Sequence, residues 1–394
     1  MSANRRNGDV CYKVTVVMVS FLLHACMDGI TNAYSVFLPS LIERFNCSRA
    51  EACTVASILS GCTLLFGPLA NLLNSKLGCR ITLLTGSILI AVGLFASVFA
   101  TSIYYLYVSY GIIEALGFSF TYLPSIIAIN NIFNKKRFIA VNIAVYGSGF
   151  GTAFFSLISG VLIRTYGFRR SFLLLSALLL NTVPASLLIN KNCKMSTELQ
   201  KGNDNFWMFL LSNFLSCFAI NATIILLVDF TQTRNLLSLQ GEILIGFVGI
   251  FGVIGRVLFG MIADVKRIKR IPLYNICLIL IGVINIIIGN INGSFIYFVI
   301  YTALHGFLSA GYITLTSFVL VDIVGSVNLS QAFGLVLYFQ AFATILGPPF
   351  WGHLFDVTRS YMWSYTGIGL TMLFSGIMLL PIKQLETDVK KYDT

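Results

Sequence analysis

Long apolar runs separated by short polar breaks dominate the chain. A membrane-crossing helix needs roughly 20 predominantly apolar residues. Twelve segments approach or exceed that length: 13–39, 53–74, 81–99, 103–132, 138–163, 171–190, 206–229, 240–263, 271–291, 294–323, 331–354 and 361–383. The pattern therefore predicts an all-α integral membrane protein with twelve transmembrane helices. Spans four and ten are long enough to tilt or to extend past the bilayer. The first run is too long for a signal-peptide core and lacks a small-residue cleavage site, so it reads as a retained span. The one sizeable polar break inside the chain, NKNCKMSTELQKGND, covers 190–204 and leaves six spans on either side. It predicts an N-terminal six-helix bundle (1–189), a cytoplasmic linker (190–204) and a C-terminal six-helix bundle (205–394).

Composition agrees. The chain of 394 residues is 57% hydrophobic and 10% charged, with mean hydropathy +0.86; soluble domains carry about 25% charged residues. A net charge of +11 raises the question of nucleic acid. The basic residues, however, sit in short clusters between apolar runs, which is the pattern of helix ends facing the cytoplasm. No nucleic-acid partner is expected. The nine cysteines show no C-x-x-C spacing, and most lie in apolar runs as small buried hydrophobes. No Walker loop, G-x-S-x-G or H-E-x-x-H motif occurs, so the chain is not expected to be an enzyme or to carry a metal or cofactor.

Charge also predicts orientation. With the N-terminus inside, the inside connections hold 18 Lys and Arg against 7 outside, and Arg256 lies within span eight. Both termini of a multi-pass membrane protein are thereby expected in the cytoplasm; the plasma membrane is the expected location. The outside connection 164–170, with Arg164, Arg169 and Arg170, breaks the rule. Asn46-Cys47-Ser48 is a glycosylation sequon, but it lies close to the end of span one.

The halves resemble each other. FGPLAN (66–71) and FGMIAD (259–264) each precede a basic turn and stand 193 residues apart. Tyr146 and Gly160 recur as Tyr338 and Gly352, both 192 residues on. Such repeats predict two pseudo-symmetric bundles with a substrate site between them, near the membrane midplane.

The segment NIFNKKRFIAVNIAVYGSGFG (131–151) joins a basic turn to a glycine-patterned span. Its three glycines, Gly147, Gly149 and Gly151, predict one thinned helix face for close packing. Phe133, Lys135, Lys136, Arg137, Ala140, Ala144, Gly147, Ser148 and Gly151 fit the fifth-span signature of the monocarboxylate transporter family (solute carrier family 16) of the major facilitator superfamily. GPLANLLNSKLGCR (67–80), LLVDFTQTR (226–234), IGRVLFG (254–260) and LGPPFWGHLFD (346–356) add matches, so the resemblance covers nearly the whole chain. It implies transport by alternating access, a small organic anion as substrate, protons as co-substrate, the lipid bilayer, and a single-span accessory glycoprotein as a partner.

Departures from the family bear on substrate. The family's signature before span one is reduced to NGDVCY (7–12), and Asn142 stands where the fifth-span signature has glycine. Asn32 matches the span-one lysine of the proton-coupled lactate carriers. Gly252 matches their aspartate four residues before the span-eight arginine, which is kept as Arg256. The resemblance is thus to orphan and non-proton-coupled members rather than to lactate–proton symporters.

Charge inside a membrane is expensive and marks function by default. Arg256 is the candidate substrate anchor, since a guanidinium matches a carboxylate bidentately; its alternative is a salt bridge to Asp28 or Glu114 that joins the halves. Asp28 and Asn32 lie one turn apart on one face of span one. Asp28 is a candidate for binding a proton or a substrate amine, with a helix-break pairing near Gly29 as the alternative. Glu114, among Gly111, Ala115 and Gly117, is a candidate for proton coupling or for close packing. His24 and His305 lie within spans, and His305 is a further proton-coupling candidate against a satisfied buried histidine. Tyr34, Tyr122, Tyr146, Phe318 and Tyr338 are candidate pore-lining aromatics, Phe318 by the family's selectivity phenylalanine.

These readings converge on a carrier of monocarboxylates or related organic anions. Two alternatives stay open: a carrier of amines, aromatic amino acids or hormone-like aromatics, and a non-transporting receptor or scaffold on the same fold.

Overall fold

The computed structural model of the protein describes residues 2–133, 137–189, 204–263, 265, 268–291 and 294–381. The linker expected at 190–204 falls outside the described residues except for Asp204, and so do Lys135, Lys136 and Asp264. Without water in the bilayer, each backbone N–H and C=O must be satisfied within its own segment, which a helix achieves. Accordingly the described residues form helices joined by short turns. They are α1 (Ser2–Phe45), α2 (Arg49–Leu65), α3 (Gly67–Leu77), α4 (Cys79–Ser97), α5 (Ile103–Leu106), α6 (Glu114–Ile132), α7 (Arg137–Leu179), α8 (Thr182–Leu187), α9 (Asp204–Thr233), α10 (Ser238–Ala263), α11 (Arg270–Asn290), α12 (Phe295–Thr358) and α13 (Tyr361–Met378).

Nine helical segments are long and apolar enough to cross a membrane among the described residues, or ten if α2 and α3, bent by 47°, count as one span. Eleven of the twelve expected spans lie in these segments; the twelfth, 361–383, falls on α13, which is not one of them. Span four is α5 and α6 joined by a π-helical turn at Tyr107–Ile113. Spans five and six are the two legs of α7, which meet at Gly167 (φ 75°), with α8 completing the second. Spans ten and eleven are the legs of α12 on either side of Gly325 (φ 78°). Both turns need a left-handed residue, and glycine adopts that conformation without a Cβ clash. The helix break considered near Gly29 is absent. α1 is continuous through it, because Gly29 lies against Phe155 and the Gly151 carbonyl and leaves no room for a side chain.

Within residues 2–187, α1 packs along α7 and α4 along α6; within 204–378, α10 packs along α12 and α11 along α13. Between these two groups of helices, α2 packs along α12, α7 along α10, and α1 against α9. The outer surface is apolar, with Phe99, Tyr104, Met261, Ile296 and Phe374 all at least 60% exposed, as a lipid-facing surface requires. Polar side chains turn inward and tie helices together, as Ser87 does to Ser186 at 2.8 Å and Ser212 to Ser375 at 2.8 Å.

The glycines of span five serve two faces rather than the single one expected. Gly147 abuts the Phe21 carbonyl and Gly151 the Ala25 carbonyl, one turn apart on the α1 side. Gly149 points the other way, where a Cβ would lie 2.5 Å from the Gly249 carbonyl of α10. The spacing of two therefore alternates contacts within the first group of helices with a contact across to the second.

Candidate functional site

The repeat is more detailed in the structure than in the sequence pattern. Asn32 on α1 donates to Thr152 on α7 at 2.9 Å. Asn221, 189 residues on, donates to Thr344, 192 residues on, at 3.0 Å. The same offsets relate Asn46 to Asn235, both left-handed at turns, and Gly167 to Arg359, again both left-handed. Asn32 thus spends its amide on a helix–helix tie.

His24, Asp28 and Asn32 stand at four-residue intervals and share one face of α1. His24 and Asp28 have the counterparts Asn213 and Cys217 on α9. There the polar atoms are spent. The Asn213 amide donates to the Tyr274 and Tyr312 hydroxyls at 3.3 and 3.1 Å, and its oxygen accepts from Gln340 at 2.7 Å. Cys217 bonds Tyr312 at 3.2 Å.

On the α1 side they are not. His24 is buried, and its Nδ1 lies 2.7 Å from the Ser20 carbonyl. A carbonyl only accepts, so Nδ1 carries the hydrogen and Nε2 presents a lone pair. That Nε2 has no hydrogen-bond partner among the described residues. Its ring packs on Tyr122 with centroids 5.1 Å apart.

Arg256 reaches this place from α10. One Nη donates to the Val145 carbonyl of α7 at 2.8 Å, while its buried Nε has no partner among the described residues. Asp28, His24, Tyr122 and Tyr146 all lie within its electrostatic reach. Asp28 and Arg256 do not close into an ion pair; among the described residues such pairs include Arg49–Asp229, Arg164–Glu242 and Arg270–Asp322. The site therefore holds a carboxylate and an imidazole acceptor from α1 and a guanidinium from α10, with hydrogen-bonding capacity left over.

The other expected site residues lie apart from this cluster. Tyr34 is buried against α2 and Tyr110, its hydroxyl donating to the Ala52 carbonyl at 2.6 Å. Phe318 lies under the Arg270 guanidinium, 5.3 Å from it, where Arg270 also pairs with Asp322. Tyr338 is 46% exposed and packs on Phe342. Glu114 and His305 are buried, 191 residues apart on matching spans, and neither side chain has a hydrogen-bond partner among the described residues.

A second polar cluster bridges the helix groups near the 46–48 turn. Arg49 pairs with Asp229 of α9 at 2.6 Å, and Tyr361 donates to the same carboxylate. Asp356 accepts from the backbone N–H groups of Arg49 and Ala50 at 3.2 and 3.0 Å, the opening turn of α2. Arg164 pairs with the buried Glu242. Arg49 and Arg164 entered the sequence reading as loop charges, and Asp229 and Asp356 inside the motif segments 226–234 and 346–356; the usable signal was opposite charge at the repeat-equivalent positions 49 and 242, and 164 and 356. Below the bend, α3 packs on α4 and α6, so the two groups are held together at the end that carries the 46–48 turn.

With duplicated helices and a charged cluster at their boundary established, comparison with known proteins places the chain. It matches the family model of the Major Facilitator Superfamily over residues 20–271 and again over 209–391, and it belongs to that superfamily: a multi-pass integral membrane transporter, not an enzyme. Within it the relatives are monocarboxylate transporters. Monocarboxylate transporter 12 of Rattus norvegicus is 25% identical over 92% of this chain and 84% of its own. Monocarboxylate transporter 14 of Homo sapiens is 24% identical over 96% and 92%, and monocarboxylate transporter 4 of Gallus gallus 27% identical over 92% and 81%. A solved variant of the peptide transporter POT superposes with a TM-score of 0.76 at 13% identity, covering 92% of this chain and 93% of that one; that likeness carries the fold alone.

Proposed function

We propose that this protein moves small organic anions across the plasma membrane by alternating access, with Arg256 as the carboxylate anchor. The observation that carries this reading is the half-used guanidinium fork of Arg256. One arm reaches across to the Val145 carbonyl, while Nε is buried and unpartnered. A carboxylate on the remaining N–H groups would satisfy donors that are costly to leave unmet. The position at the α7–α10 boundary lets the occupant be felt by both helix groups, which is what rocking around a fixed site requires. In this reading 1–189 and 205–394 are the rocking bodies and both termini are cytoplasmic. The closed end, with Arg49–Asp229 and Arg164–Glu242, then faces outside, and the conformation is inward-facing.

The test is uptake into proteoliposomes of a labelled panel of short-chain carboxylates. Saturable uptake is expected, and Arg256→Ala should reduce it at least tenfold while leaving the protein folded. No uptake across the panel, or normal uptake by the variant, would overturn the reading.

A further inference from the structure

The repeat supplies an internal comparison for the α1 face. Asn213 and Cys217 on α9 have their polar atoms bonded inside their own helix group. At the equivalent positions on α1, the His24 Nε2 lone pair has no partner and Asp28 forms no ion pair among the described residues. Buried acceptors left unmet are costly, and most buried polar groups in folded proteins find partners. At these two positions the α9 side has its polar atoms bonded, while the α1 side presents two acceptors within electrostatic reach of Arg256.

We propose that the transported ligand is amphoteric, its carboxylate on Arg256 and a protonated amine on Asp28 and the Nε2 of His24. This deepens the carboxylate reading above and rests on it. Three features of the site support the amine. The formal charges of Arg256 and Asp28 cancel, so a zwitterion leaves the site neutral, whereas a bare anion leaves one negative charge in excess. An N–H group can donate to both acceptors, whereas a simple alkyl carboxylate has no donor to offer them. Tyr122 and Tyr146, which flank the cluster, offer aromatic rings that suit a cation as neighbours. The acceptor role of His24 follows from its tautomer, because Ser20 holds the hydrogen on Nδ1.

The experiment compares matched probes in proteoliposomes: acetate with glycine, propionate with β-alanine, and butyrate with 4-aminobutyrate. The wild type should favour at least one amino member over its unsubstituted partner by roughly tenfold or more, as expected for a site built to bond a polar group. Asp28→Asn should remove that preference. His24→Asn, which installs the residue its repeat partner carries, should reduce it several-fold in a folded protein, so the test survives a failure of the Asp28 variant to fold. Arg256-dependent uptake of the plain carboxylates with no amino preference, or preference unchanged in both variants, would overturn the amphoteric assignment while the anion reading stands. Plain-carboxylate uptake driven by an inward proton gradient and lost in Asp28→Asn would also overturn it, since Asp28 would then take a proton. Absence of uptake in both series would instead remove the anion reading itself.

Discussion

The Arg164 guanidinium donates to the Glu242 carboxylate across the α7–α10 boundary. The repeat-equivalent residues are Asp356 and Arg49, 192 and 193 positions away. They meet across the α2–α12 boundary in another way: Asp356 accepts from the Arg49 and Ala50 backbone N–H groups, while the Arg49 guanidinium pairs with Asp229. The residue charges are exchanged between the halves, but the ion pair is not duplicated. The Arg164–Glu242 pair also explains why Arg164 sits in a connection that violates the charge rule for orientation: the buried Glu242, 2% exposed, requires a cationic partner there.

Breaking that contact should open this end. Glu242→Gln removes a charge-assisted bond worth about 1.5–3 kcal/mol, and the lower end applies because Arg164 is 37% exposed. Distance measurements between spin labels on the outer ends of α2 and α12 should show a larger open population. The exchange Arg164→Glu with Glu242→Arg should restore the closed one. Unchanged distances in Glu242→Gln would show that the contact does not hold this end shut.

Two glycines should separate stability from transport. In Gly151→Ala the new methyl meets the Ala25 carbonyl, a backbone atom within the first helix group. Overpacking of that kind costs about 1–3 kcal/mol, so the melting temperature should fall. In Gly149→Ala the methyl lies 2.5 Å from the Gly249 carbonyl in the other group. That variant should transport slowly and melt closer to the wild type. Thermal unfolding and uptake on both variants check this, and equal effects on both readouts would contradict it.

Cys47, in the turn between α1 and α2, should be a slow nucleophile at neutral pH. Burial, and after it the neighbouring Glu51 carboxylate, push its thiol up to about 11. Thiolate is the reactive form, so maleimide labelling should rise roughly tenfold per pH unit from neutral toward that value. Glu51→Gln removes one of the raising causes and should speed labelling at fixed pH. A labelling rate already flat between pH 7 and 9 would show an ordinary or lowered thiol.

The spans were legible because bilayer length and backbone satisfaction leave a coarse signal, and the offset of Tyr146 and Gly160 from Tyr338 and Gly352 already announced the duplication. Gly167 and Gly325, the left-handed turns inside α7 and α12, were hidden because glycine is common throughout the spans. Within the site, Arg256 and Asp28 stood out by the cost of intramembrane charge. His24 was noted within a span but not joined to them, although its four-residue spacing from Asp28 put it on the same face. Its significance lies in an unpartnered Nε2, which depends on where Ser20 and Tyr122 fall in space. Tyr34 and Phe318 illustrate the reverse: each was expected to line a pore from its span, yet one is bonded to the Ala52 carbonyl and the other sits under Arg270. Span membership does not fix the rotational position that decides what a side chain meets.

The central claim is that Arg256 anchors the transported carboxylate, and the most direct measurement is uptake by Arg256→Lys beside Arg256→Ala in proteoliposomes. Lysine keeps the charge but loses the planar fork. The account predicts near-complete loss in Arg256→Ala and a raised KM with partial activity in Arg256→Lys. Wild-type uptake by Arg256→Ala, with its fold intact, would contradict it.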